Sequence, residues 1–98
     1  MKAADVCTKA AALVGGDRDN QHGDKVENHQ NIARLWNAYL GPRMDDHLSA
    51  LDVALMMALL KIARTKSGAH NIDDYIDGAG YMGCAGEIAE SGDVLLPR

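Results

Sequence analysis

Five charged residues in the second half of the chain stand at helical spacing: Lys61 and Arg64, then Asp73, Asp74 and Asp77. The intervals from Asp73 and from Asp74 to Asp77 are one helical turn, so all three acids project from roughly one side of a helix. Carboxylates so arranged can hold Mg²⁺, a hard cation that prefers oxygen ligands. Lys61 and Arg64 are also one turn apart and precede a short break at Ser67–Gly68. A short connection makes two helices antiparallel neighbours, which sets the cations beside the acids. Together they can address one phosphate ester, the acids through a metal and the bases directly. A plainer reading stands beside this one. Acids in the first turn of a helix and bases in the last are what the helix dipole rewards, and Asp74 is explained as a cap residue. Asp77 lies beyond the cap and is not explained in that way. Tyr81, one turn further, can stack on a nucleobase or fill the core, and spacing favours the core.

A second candidate lies between residues 15 and 24, a polar loop that contains Arg18 and His22 and leads into a helix. Glycines there permit unusual backbone angles, and a helix N-terminus offers N–H groups to an anion. No Gly-Lys-Ser/Thr follows, so this is not a P-loop. An ordinary solvated turn explains the loop equally well. Asn28, His29 and Asn31 add polar groups to the helix behind it, with His29 expected on the surface. Trp36 reads as a core anchor, and Met56 and Met57 as core filling.

Four helices must position these groups. The first is expected over Ala3 to Val14, with Val6, Ala10, Leu13 and Val14 inward and Gly15–Gly16 as its stop. The second has Asp24 as N-cap and Glu27 three residues on, a capping-box pattern. It runs to Leu40 with Ile32, Leu35, Trp36, Tyr39 and Leu40 at the 3.6-residue period, and Gly41–Pro42 ends it. The third starts after Ser49, with Asp52 completing a capping box, and runs to about Thr65. From Ala50 to Leu60 it is apolar nearly all round, which predicts the central, most buried helix. The fourth has Asn71 as N-cap and runs to about Glu90. Its four glycines, at 78, 80, 83 and 86, each cost about 0.5–1 kcal/mol relative to Ala. Close helix approach, or room for a ligand, is expected to offset that. Residues 91–98 carry no helical signal.

The 98 residues make one all-α domain, a four-helix bundle. Hydrophobic residues are 47% of the chain, but aromatics are 4% and Phe is absent, so the core must be built from aliphatic residues and Met. A chain this short is marginally stable alone, and self-association into a homo-oligomer is the expected completion. A formal charge of −4 argues against bulk nucleic-acid binding, though not against a local cationic pocket. No signal peptide is read at the N-terminus, and the apolar run Val53 to Leu60 is far too short to cross a membrane. Cys7 and Cys84 read as reduced thiols of a cytoplasmic protein. No Ser–His–Asp or Cys–His triad is supported by spacing.

The segments "ALVGGDRDNQHGDKVENHQNIARLWNAYLG" and "DVALMMALLKIARTKSGAHNIDDYIDGAGYMG" resemble a group of small phage and prophage proteins. The pattern Lys61-Ile-Ala-Arg64 followed by Asp73-x-x-x-Asp77-x-x-x-Tyr81 is also similar to the MazG-like all-α nucleotide pyrophosphohydrolases and nucleotide-modification-associated proteins. The resemblance covers about 70 residues. It implies a MazG-like helical bundle, oligomers, and Mg²⁺ held by carboxylates from two helices for hydrolysis of nucleoside triphosphates. Asp74-x-x-Asp77 matches the second metal element of that family. The first, Glu-Glu-x-x-Glu, is missing: the second helix offers only Glu27, followed by Asn28, His29, Gln30 and Asn31, and the third only Asp52. Losing half the carboxylates should harm catalysis more than binding. The expectation is therefore a phage-type protein of the infected or lysogenic bacterial cytoplasm. It would bind a nucleotide or cyclic nucleotide, as a sponge for an immune signal, without hydrolysing it. The expected ligand-binding set is Arg18, His22, Asn28, Lys61, Arg64, Asp73, Asp77 and Tyr81, with Asp74 and Asp77 for any Mg²⁺. An active pyrophosphohydrolase and a protein-binding helical module are the alternatives.

Overall fold

The computed structural model describes residues 1–15 and 25–92. The described residues form four α-helices: α1 (Ala3–Val14), α2 (Lys25–Leu40), α3 (Ala50–Arg64) and α4 (Ile72–Ser91), with a 3₁₀ turn at Gly41–Arg43 after α2. No strand occurs among them. These bounds lie within a residue or two of those the caps and periodicity predict. Asp24, the expected cap of α2, lies outside the described residues, as do Arg18 and His22.

Local chemistry explains the helix starts. The Asp52 N–H donates to Ser49 Oγ at 3.0 Å while the Ser49 N–H donates to Asp52 Oδ2 at 2.9 Å, so two orphan amide donors at the start of α3 are satisfied reciprocally. At α4 the Asp73 N–H donates to Asn71 Oδ1 at 3.0 Å. The chain leaves α4 through Gly92, whose φ of 82° is the left-handed conformation that favours glycine at a helix end.

The helices assemble differently from expectation. α4, not α3, is the central element: it packs along α3 and α1 and also touches α2. The core joins Ala50 and Ala54 of α3 to Ala85 and Ile88 of α4, with Val26 and Leu51 against them. On α3 only Ala50, Val53, Ala54 and Ala58 are buried, while Leu55, Met56, Leu59 and Leu60 are exposed. Apolarity all round a helix forecasts burial on every side, but the described residues supply neighbours for about half of this one. On α2 the buried line passes through His29 and Ala33. Trp36 is only half-buried, and Leu35 and Tyr39, expected inward, face solvent. On α1 only Ala10 is fully buried, and Leu13 is exposed. Cys7 lies on the surface and Cys84 in the core, and no disulfide joins them.

The glycines divide into two kinds. A Cβ at Gly80 would stand 3.2 Å from Val14 Cγ1, and one at Gly78 would stand 3.5 Å from Lys61 Cβ. At Gly80 close helix approach offsets the cost of glycine, whereas at Gly78 a Cβ would make ordinary contact. A Cβ at Gly83 or Gly86 would meet nothing within 4 Å. Gly83→Ala is therefore expected to stabilise the protein by about 0.5–1 kcal/mol, chiefly by restricting the unfolded chain. A raised midpoint in urea at unchanged m-value would show it, and a lowered midpoint would refute it.

The link between α2 and α3 is held by a side chain that spacing does not reveal. Asn37 Nδ2 donates to the Leu48 carbonyl at 2.9 Å, and the Leu48 N–H donates to Asn37 Oδ1 at 2.7 Å. The carboxamide pairs with one backbone unit as a strand neighbour would, just ahead of the Ser49 cap. Asn37→Ala strands both Leu48 groups in a half-buried place and is expected to cost about 1–2 kcal/mol. Urea denaturation of the variant measures it.

Candidate functional site

The end of α3 and the start of α4 bring four of the predicted charges together as two cross-helix pairs. Lys61 Nζ lies 3.2 Å from Asp77 Oδ2, and Arg64 Nε lies 3.7 Å from Asp74 Oδ1. One step up α3 matches one step down α4, as antiparallel helices require, so the pairs form a two-rung ladder. The rungs are unevenly wet. The Lys61 side chain is 15% exposed and that of Asp77 33%, whereas Arg64 is 58% exposed over an Asp74 side chain at 9%. The outer end of the ladder thus presents a guanidinium to solvent above a buried carboxylate.

This geometry corrects the reading of Asp74 as a cap. Its backbone N–H donates to the Asn71 carbonyl, but its carboxylate turns toward Arg64. The side chain that caps α4 is that of Asn71, and it takes the Asp73 N–H. Asp73 itself is exposed and stands outside the ladder.

The remaining candidates lie toward α2. Tyr81 follows Asp77 by one turn and is half-buried rather than core, with its ring edge-on to His29 at 6.5 Å between centroids. His29 is buried, not on the surface, and its Nδ1 stands 2.7 Å from the Lys25 carbonyl. The apolar face of the α2 pattern concealed this, because a histidine one turn ahead of Ala33 looked polar and therefore outward. Asn28 is half-buried on the same helix. Lys25 Nζ reaches Glu87 of α4 at 3.9 Å.

The carboxylates are committed to cations. Each of Asp74 and Asp77 faces a side-chain positive charge, which is the charge a metal would bring. Among the described residues no group of three His, Cys, Asp or Glu side chains comes close enough to hold an ion. Glu27 and Asp52, the other acids weighed for a metal, do not join the ladder, and Asp52 is used at the α3 cap. Among the described residues, Asp74 and Asp77 do not gather the further carboxylates that a two-helix Mg²⁺ centre uses.

Fold and site define a small helical protein with a cation–carboxylate ladder joining its last two helices. The chain belongs to the DUF6378 family, a domain of unknown function, whose sequence model matches residues 5–89. It is 37% identical over 93 residues to the Gene 55 protein of Mycobacterium phage L5, an alignment covering 95% of this chain and 58% of that protein. It is 38% identical over 85 residues to the Gene 55 protein of Mycobacterium phage D29, covering 87% of this chain and 54% of the relative. The chain spans a little over half the length of these curated relatives. No solved structure matches it. The phage resemblance read from the residues is thus established at family level. Among the described residues no helix is long and apolar enough to cross a membrane.

Proposed function

We propose that the chain binds a nucleotide or cyclic nucleotide through its phosphate at the outer end of the ladder. It holds the ligand without hydrolysing it, and so withdraws a nucleotide signal from the infected cell. The observation that carries this reading is the ladder itself. Asp77 and Asp74 draw Lys61 and Arg64 to one end of two packed helices, which reduces the ordering left to be done when a phosphate arrives. The exposed Arg64 guanidinium suits bidentate contact with phosphate oxygens. Tyr81, about two turns along α4 from Asp74 and one turn past the inner rung, offers a ring for a base. The MazG-like pattern read from the residues points to the ligand class, and the phage relatives point to the setting.

Hydrolysis is the less favoured reading because the carboxylates that would hold the metal are already neutralised by cations. Differential scanning fluorimetry with ATP, cyclic AMP and cyclic dinucleotides, with and without Mg²⁺, tests the proposal. A ligand at a hundred times its Kd should add about 2.7 kcal/mol of stability. Lys61→Ala and Arg64→Ala should remove the shift, and Lys2→Ala should leave it. Release of pyrophosphate that Asp77→Ala abolishes would instead establish a pyrophosphohydrolase. No shift with any nucleotide would favour a protein-binding module.

A further inference from the structure

Among the described residues, the face of α3 and α4 that turns away from α1 and α2 is apolar and open. Leu55, Leu59 and Ile62 recur along α3 at one-turn intervals, and Tyr75, Ala79 and Met82 do so along α4. An open groove of about 290 Å³ runs between the two stripes, floored by Ala58 and Gly78 and closed at one end by Asp74 and Thr65. At 100° per residue, every α4 residue from Tyr75 to Ala89 within about 60° of the stripe's mid-line is uncharged. Solvated helix faces are normally charged, and this one belongs to the most central helix of the fold.

The large side chains on the face are far from buried: Leu59 is 61% exposed, Ile62 55%, Met82 54% and Tyr75 48%. At roughly 150–250 Å² for a large side chain, they and Leu55 leave on the order of 400–500 Å² of apolar surface in water. That is comparable with the largest patch on a typical monomer. It also equals the apolar share, somewhat over half, of the roughly 800 Å² that each partner contributes to a standard interface.

We propose that a second copy of this chain docks on the face, with the two α4 helices crossing antiparallel about a two-fold axis near Met82. The face carries both halves of an isologous contact. Leu59, Ile62 and Met82 are the projecting side chains, and Ala79, Gly86 and the groove floor are the recesses that a rotated copy can fill. Gly86 then has a reason for being glycine: the open space above it in the single chain is taken by the partner's helix. The antiparallel sense follows from the ends of the face. Lys66 lies beyond α3 at one end and Glu90 on α4 at the other, both exposed. Antiparallel crossing brings Glu90 toward the partner's Lys66, whereas parallel crossing sets like charges together. The dimer rests on the apolar face, whose groove reaches the outer rung of the ladder at Asp74.

Sedimentation equilibrium of the full chain at about 100 μM tests it. The expected result is a dimer mass, shifted to monomer by Leu59→Asp or Met82→Asp at unchanged helix content. A wild-type monomer at that concentration overturns the proposal. If the aspartate variants unfold, cross-linking decides. In a Cys7→Ser background, a short bis-maleimide should link two copies of Met82→Cys and should fail with Ala89→Cys, which lies far from its mate across an antiparallel pair. Linking of both variants, or of neither, overturns the arrangement.

Discussion

Replacing Ile88 with alanine is expected to remove about 3 kcal/mol of stability, within the 2–5 kcal/mol seen for such truncations. Ile88 and Val53 are the largest side chains that are fully buried, and Ile88 packs among Ala50, Ala54 and Ala85. Those neighbours are methyl groups on rigid helices. They have no rotamers with which to collapse into the space, which leaves the adjustment to Val26 and Leu51 at its edge, so much of the cavity persists and the cost exceeds the transfer free energy alone. A domain of this size has about 5–15 kcal/mol in total. The loss should lower Tm by on the order of 10–20 °C at fixed protein concentration. Ile88→Val, which removes one methylene, should cost about 1 kcal/mol. Equal effects of the two substitutions, read by urea denaturation, would show that the core relaxes freely.

Reversing one rung of the ladder should have the largest effect on any phosphate ligand. In Lys61→Glu the ammonium 3.2 Å from Asp77 is exchanged for a second carboxylate in a place that is mostly shielded from water. Breaking a well-buried pair costs about 3–5 kcal/mol. Because the Asp77 side chain is a third exposed, solvent screening reduces this, and about 2 kcal/mol is expected. Adding Asp77→Lys restores an opposite-charge pair across the same helices. Most of the stability should return in the double variant, a coupling that a double-mutant cycle isolates. Ligand binding gives the second readout. The charge-swapped protein keeps its ladder but moves the cation from α3 to α4, so affinity for a nucleotide phosphate should stay at least about tenfold down while the fold recovers. Recovery of both together would mean that the ladder serves structure alone.

These expectations separate what the chain encodes locally from what it encodes through assembly. Helix positions were legible because their determinants lie within four residues: the Ser49–Asp52 capping box, the Asn71 cap, and the stops at Gly15, Gly41 and Ser67. The ladder was half-legible. Spacing placed Lys61 and Arg64 one turn apart opposite acids one turn apart, and antiparallel neighbours had to bring them near each other. What spacing left open was their partnership. Asp74 fitted a cap as well as an ion pair, and only the packing of α4 on α3 turned it toward Arg64. That packing also put cations where the resemblance implied a metal.

Burial was the least legible property. The apolar circuit of α3 specified that the helix would be covered, not by what. Among the described residues α4 covers one side, and the side with Leu59 and Ile62 is left open. His29 and Asn37 follow the same logic. Asn37 is satisfied by Leu48, eleven residues on, while His29 sits inward on the Lys25 carbonyl one turn back with Tyr81 edge-on beside it, and periodicity reports neither. The sequence by itself determined four helices, their ends, and a pair of opposed charge clusters at the junction of the last two, since each follows from hydrogen bonds and side-chain spacing within a turn or so. Only the tertiary structure decided that those clusters neutralise one another rung by rung, and that the most apolar helix keeps one face in water. Both depend on which surfaces meet, which is settled between elements and not along them.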